Sequence, residues 1–167
     1  MVVGSARNSD TFNVTTPFED EIHMTRLFDA PRNLVFEAMS RPEHVKRWWG
    51  NLGDGYSVPT CEIDLRVGGT WRFVNRHPKG EAAFHGEYQL IEPPGRIVFT
   101  EIFEAFPDVV SVVTTDLIEE DGKTRLNVAV RYPSREVRDM VIATGMARGA
   151  GISYDRLEDL VAELRRR

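Results

Sequence analysis

The stretch VVSVVTTDLIEEDGKTRLNVAVRYP, Val109–Pro133, decides the fold. Two runs rich in β-branched residues flank Asp121-Gly122, a pair that favours the tightest hairpin turns. They read as neighbouring antiparallel strands. The same texture extends back to Tyr56: Val58–Val67 alternates loosely, and Gly68-Gly69 supplies a turn or bulge before TWRFVNRHP. Lys79-Gly80 turns the chain into AAFHGEYQLIEPP, and Pro93-Pro94-Gly95 stops it before RIVFTEIFEAF. Pro107-Asp108 turns it once more. Turns this short imply antiparallel pairing throughout.

Further upstream, Glu21–Phe28 reads as a first strand, making about seven. Pro31 opens a short helix, PRNLVFEAMS, with Leu34, Val35, Ala38 and Met39 on one face. Arg41-Pro42 breaks it, and a second short helix, PEHVKRWWG, ends at Gly50. Residues 1–16 are polar and unpatterned and read as a flexible leader, leaving 17–167 as one domain. Downstream, Ser134–Arg167 is helical, with Ser134 as N-cap and an apolar stripe of Leu157, Leu160, Val161 and Leu164. Gly145, Gly149 and Gly151 either kink this helix or admit something large against its backbone. A curved sheet has one face to cover, and only the last helix is long enough to cover it. The expected architecture is α+β of the helix-grip kind: a curved antiparallel sheet, two short helices and a long C-terminal helix around a hollow.

The composition narrows the function classes. Of 167 residues, 41% are apolar and 28% charged, the balance of an ordinary globular domain. Lys plus Arg number 21 against 26 Asp plus Glu, a net charge of −5, so the basic footprint of a nucleic-acid binder is missing. No apolar run has the length of a membrane span, and the first ten residues lack the apolar core of a signal peptide. A single cysteine, Cys61, excludes an internal disulfide and suits a reducing cytoplasm, the expected location. His23, His44, His77 and His85 form no metal-binding helix motif, and Gly149-x-Gly151 lacks the third glycine of a dinucleotide loop. Neither metal nor cofactor is expected. A second copy of the chain is compatible as a partner.

An ordered set of short motifs resembles a known family. Asp29-Ala30-Pro31-Arg32 with Val35-Phe36 and Ala38 is followed by Pro42-Glu43 and Trp48-Trp49-Gly50. Next come Val67-Gly68-Gly69 with Trp71-Arg72-Phe73, Gly86-x-Tyr88, and Pro93-Pro94-x-Arg96-Ile97-Val98-Phe99-Thr100. Asp121–Leu126, Gly145-Met146-x-x-Gly149 and Asp155-Arg156-Leu157 complete the series over residues 22–164. The set resembles bacterial single-domain members of the heat-shock protein 90 ATPase activator family, within the START-like, polyketide-cyclase-like (SRPBCC) superfamily. The resemblance implies the helix-grip (START/Bet v-like) fold; members of the superfamily bind lipids, hormones or polyketides in the hollow, and a few catalyse cyclisation or isomerisation there. Relatives usually follow Gly149 with Trp, where this chain has Ala150, and an aromatic is common where it has Glu101.

The candidate site is the aromatic face of the strands. Trp71 with Phe73, Phe84 with Tyr88, and Phe99 with Phe103 are spaced to share a side. Trp49 closes one end, unless Trp48-Trp49 merely plugs the short helices onto the sheet. Thr115, Met140 and Thr144 complete the expected border. A bulge at Gly68-Gly69 or Gly86 would exchange the faces. Glu101 lies in phase with Phe99 and Phe103, where desolvation would raise its pKa as a general acid or a polar ligand anchor requires. A bulge turning it to water, or pairing with Arg72 or Arg26, is the plain alternative. His85 and Glu87 share a strand face and read as a solvent-facing polar pair. The leading expectation is a binding or carrier protein for a small apolar molecule. The others are a cyclase- or isomerase-type enzyme using Glu101 as acid or base, and a chaperone-interaction module, which rests on the family name.

Overall fold

Every second residue of Glu21–Phe28 is buried, the signature of a strand with one face on a core. The computed structural model describes residues 9–167. Its strands are β1 (Asn13–Thr15), β2 (Glu21–Phe28), β3 (Ser57–Ile63), β4 (Thr70–His77), β5 (Gly80–Glu92), β6 (Arg96–Phe103), β7 (Ser111–Glu120) and β8 (Lys123–Arg131). Helices α1 (Arg32–Ser40) and α2 (Pro42–Trp48) follow β2, and α3 (Arg135–Ala143) and α4 (Met146–Arg165) follow β8. All eight strands join one antiparallel sheet in the order β1-β2-β8-β7-β6-β5-β4-β3. The β7–β8 turn has positive φ at both Asp121 and Gly122, as the sequence pair predicts.

Three expectations need correction. The strand count is eight, because β1 pairs with β2. The leader is therefore not flexible throughout: residues 1–8 lie outside the described residues, but Ser9–Thr11 is a helical turn. The Leu27 amide donates to Thr11 Oγ1 at 3.0 Å, and Phe12 packs edge-on against Tyr154. Finally, the C-terminal segment is two helices. Gly145 adopts φ +81°, a left-handed conformation that ends α3 and lets α4 start in a new direction. Ser134 does cap α3, accepting from the Val137 amide at 3.2 Å.

The core falls into two clusters. In the larger, Leu157, Leu160 and Val161 of α4 pack with Val35 and Ala38 of α1 and with Ile22, Phe28, Leu126 and Val128 of the sheet. Arg26 of β2, with no exposed surface, reaches Asp155 at 2.8 Å and Glu158 at 3.3 Å on α4. The smaller cluster sets Val45 of α2 on Trp71, Phe73, Tyr88 and Ile97.

Gly86 shapes this second half of the sheet. The pairs Phe84–Phe103, His85–Ile102 and Tyr88–Phe99 keep one register, which places Gly86 opposite Glu101. Here the Trp71 indole donates to the Thr100 carbonyl at 3.2 Å, and the Glu87 amide donates to the Thr100 hydroxyl at 2.9 Å. A Cβ at position 86 would overlap the Thr100 carbonyl and press on the indole nitrogen. Gly86→Ala is expected to cost about 1–3 kcal/mol of stability by overpacking. Urea denaturation measures it, and an unmoved midpoint would contradict the close approach.

Candidate functional site

Between the two clusters lies a hollow of about 340 Å³. Its sheet wall is built by strand alternation: Trp71 and Phe73 from β4, Phe84 and Tyr88 from β5, and Ile97, Phe99 and Glu101 from β6. Val113, Thr115 and Leu117 of β7 and Val128 and Val130 of β8 continue it, with Tyr132 just beyond. Opposite stand Met146, Gly149, Ala150, Ser153 and Tyr154 of α4.

The two tryptophans divide the roles that the sequence left open. Trp48 is buried, and its indole N–H donates to the Ala38 carbonyl at 3.0 Å, joining α2 to α1. Its indole also touches the hollow. Trp49 lines the hollow edge-on to Phe73 at 4.9 Å and to Phe84 at 5.1 Å. Its carbonyl accepts from Asn75 Nδ2 at 3.4 Å, and the following Gly50 amide donates to Ser153 Oγ at 3.0 Å. These bonds hold the turn after α2 between β4 and α4.

Eight of the expected residues therefore meet on the hollow: Trp49, Trp71, Phe73, Phe84, Tyr88, Phe99, Glu101 and Thr115. Three do not. Phe103 has the right phase but lies at the end of β6, where it stacks on Phe84 at 5.0 Å and is 37% exposed. Met140, 61% exposed, and Thr144, also exposed, stand on α3 and at its C-terminal end. The break at Gly145 gives α3 its own orientation, and Val137 and Val141 are the residues that it packs inward. The sequence reading missed Tyr132, Met146, Ser153 and Tyr154. Tyr132 continues the two-residue phase of Val128 and Val130, while Met146, Ser153 and Tyr154 stand four before, three after and four after Ala150.

Glu101 is the chemical exception in this wall. Arg72, weighed as its partner, instead binds Glu104 through Nε at 2.9 Å and Nη2 at 3.0 Å. Arg26 is committed to α4. Among the described residues no hydrogen bond or ion pair reaches the Glu101 carboxyl. The surface it retains faces the hollow, and burial pushes its pKa up to about 7. The Tyr132 and Tyr154 hydroxyls are pushed up by burial first and then by the Glu101 charge, and both residues line the same hollow. At neutral pH such a carboxyl can donate or accept a hydrogen bond, or exchange a proton.

The other polar candidates lie elsewhere. His85 turns to the outer face, where its Nδ1 meets Glu104 Oε2 at 2.9 Å. Arg72 and His85 together hold Glu104 down at about 2. The Glu87 side chain is exposed on the same face, so His85 and Glu87 do not touch the hollow. Cys61 is half-buried and desolvation pushes its thiol up to about 11, which leaves it unreactive at neutral pH. Among the described residues, no three of His, Cys, Asp and Glu converge as metal ligands would.

The family described as activator of Hsp90 ATPase homolog 1-like protein matches residues 29–162. Among solved structures, the chain is 27% identical to a protein from Rhodobacter sphaeroides. The likeness covers 92% of this chain and 99% of that one, with a TM-score of 0.83. A Mycobacterium smegmatis protein is 26% identical over 89% of this chain and 96% of its own, with a TM-score of 0.77. One from Nitrosomonas europaea, at 23% identity, covers 91% and 100% with a TM-score of 0.80 and attests the fold alone. No curated protein matches the sequence significantly.

The raised pKa of Glu101 has a consequence for stability. Below about 4.5 the carboxyl is protonated in both folded and unfolded chains, and its burial then costs least. As the pH rises the unfolded chain ionises first, so stability falls until the folded carboxyl also ionises near 7. Glu101→Gln removes this dependence. Its advantage over the parent is expected to widen from pH 4.5 to about 7 and then level, by on the order of 2–3 kcal/mol. Denaturation midpoints across that range test it; a constant difference would mean that Glu101 titrates normally.

Proposed function

The chain belongs to the activator of Hsp90 ATPase homolog 1-like family, and we propose that it binds and carries a small apolar molecule in the hollow between sheet and α4. The fold is one known for binding hydrophobic ligands. The observation that carries the reading is the hollow itself, about 340 Å³ and walled mainly by aromatic and aliphatic side chains. Pockets for small molecules combine such walls with a few polar groups that fix orientation, and Glu101, Thr115, Ser153 and Asn75 supply these. The single unreactive thiol agrees with the cytoplasm as the place where it works.

Glu101 favours a second reading, in which the hollow is the active site of a cyclase- or isomerase-type enzyme. A general acid or base acts best when it titrates near the working pH, as this carboxyl does. The two readings differ in the fate of the ligand. Native mass spectrometry of the freshly purified protein identifies a co-purified molecule. A carrier returns it chemically unchanged after incubation, whereas an enzyme converts it. The chaperone role in the family's description belongs to the homologue that bears the name.

Ala150 provides the direct test of the hollow. It faces the open space from α4, flanked by Gly149 and Gly151, which Leu52 and Phe12 approach at 3.7 Å and 3.4 Å from where a Cβ would stand. In Ala150→Trp the indole should enter the hollow and raise stability by about 1–2 kcal/mol through buried apolar area. It should also weaken binding of the neutral fluorophore N-phenyl-1-naphthylamine about tenfold or more. Lower stability with unchanged fluorophore binding would place the site elsewhere.

A further inference from the structure

A purely apolar cargo gives no reason for a carboxyl on the wall. Enclosed by a hydrocarbon ligand, the Glu101 carboxyl would lose water and gain no partner, which is costly for any buried polar group. Among the described residues the wall offers it no free cation: Arg96, the one basic side chain lining the hollow, is held by Asp116 at 2.6 Å. Across β6, Glu101 faces Gly86 on one side and Ser111 on the other, neither of which carries charge. Aromatic rings surround the hollow: Trp71 stands edge-on to Phe99 at 5.5 Å, and Tyr132 and Tyr154 line it as well. An anionic ligand would meet a like charge here. A carboxylate set among aromatic rings is instead the complement of an organic cation, which gains an ion pair and the electron-rich ring faces together.

We propose that the ligand of the hollow is a hydrophobic amine, its ammonium group paired with the Glu101 carboxylate and its hydrocarbon body lying among Trp71, Phe99 and Tyr154. The inference rests on the carrier reading of the hollow and specifies its cargo. Glu101 thereby becomes the specificity-determining residue.

A pH dependence follows. The ammonium pairs with ionised Glu101, so amine affinity rises with pH through the Glu101 titration and levels until the amine loses its own proton. The other titratable groups on the hollow besides Arg96 are Tyr88 of β5, Tyr132, beyond the end of β8, and Tyr154 of α4. All three are pushed well above their ordinary value by burial and stay neutral throughout this range. Arg96 keeps its charge paired with Asp116.

The test uses the full chain and three ligands of one shape: 1-naphthylmethylamine, 1-naphthalenemethanol and 1-ethylnaphthalene. Each is measured by displacement of N-phenyl-1-naphthylamine. At about pH 8 the amine is expected to bind about tenfold or more tightly than the ethyl compound, a preference that shrinks towards about pH 5.5. Glu101→Gln should abolish the preference, and because it removes the charge that a hydrocarbon would desolvate, ethylnaphthalene should bind it at least as tightly as it binds the parent, which also shows that the variant folds. An amine that binds no better than the ethyl compound, or a preference that survives Glu101→Gln, overturns the inference and leaves the carrier reading standing. Preferential binding of the alcohol at low pH also overturns it, because a protonated Glu101 would then be serving as a hydrogen-bond donor. If neither the fluorophore nor any of the three binds, the carrier reading falls as well.

Discussion

The arginine inside the larger core cluster fixes the geometry on which everything else depends. Arg26 on β2 is fully buried and binds Asp155 and Glu158, one turn apart on α4. Glu158 also accepts from the Asp29 amide at 3.4 Å, and the guanidinium lies over the Phe28 ring at 5.4 Å. A charge this deep has no low-energy state without its partners, and removal of one partner from such a group costs about 3–5 kcal/mol. The helix is thus pinned along the β2–β8 half of the sheet, where its leucines find Ile22, Phe28 and Leu126. It cannot also settle onto β4–β6. That half of the sheet is roofed by α2 and Trp49, and the space between the two roofs is the hollow.

Much of this was legible because the strands carry a strict two-residue phase. The face assignment for Trp71, Phe73, Phe84, Tyr88, Phe99 and Glu101 holds because no register shift falls between these residues: β5 and β6 keep one register from Phe84–Phe103 to Tyr88–Phe99. The β5–β6 register shifts between Tyr88 and Leu90, and the β3–β4 register between Ser57 and Thr60. Asp121-Gly122 was legible for a related reason: its backbone requirement is local, and two adjacent residues meet it.

The features that escaped are those that depend on distant contacts. Nothing near Phe12 in the sequence signals that its ring will lie against Gly151 and Tyr154, so a segment that pairs with β2 looked like a loose leader. Gly145 did stand out, yet a glycine within a helical pattern can kink a helix or end it, and the choice depends on packing. Since it ends α3, side chains that follow the periodicity of one long helix leave the face assigned to them. Met140 and Thr144 turn to solvent for that reason, whereas Ala150, Ser153 and Tyr154 keep a common face within α4.

Glu101 combines the legible and the illegible. Its phase put it on the aromatic face, but whether a cation would meet it there depended on arginines 75 and 29 positions away in the sequence, on β2 and β4. Each of those arginines turned to acids of its own, Arg26 across the core and Arg72 on the outer face. A chain with a typical stability of about 5–15 kcal/mol gives up an appreciable fraction of it by keeping a desolvated, unpaired carboxyl. An aromatic at the same place would fill the wall without that cost. Local rules broken without compensation inside a protein mark the places where function decides the residue. The hollow itself follows from packing, through a pinned helix, small residues at 149–151 and a sheet that curves past them. The carboxyl does not follow from packing; no described residue pairs with it, and in the proposed reading its partner is the ammonium group of the ligand.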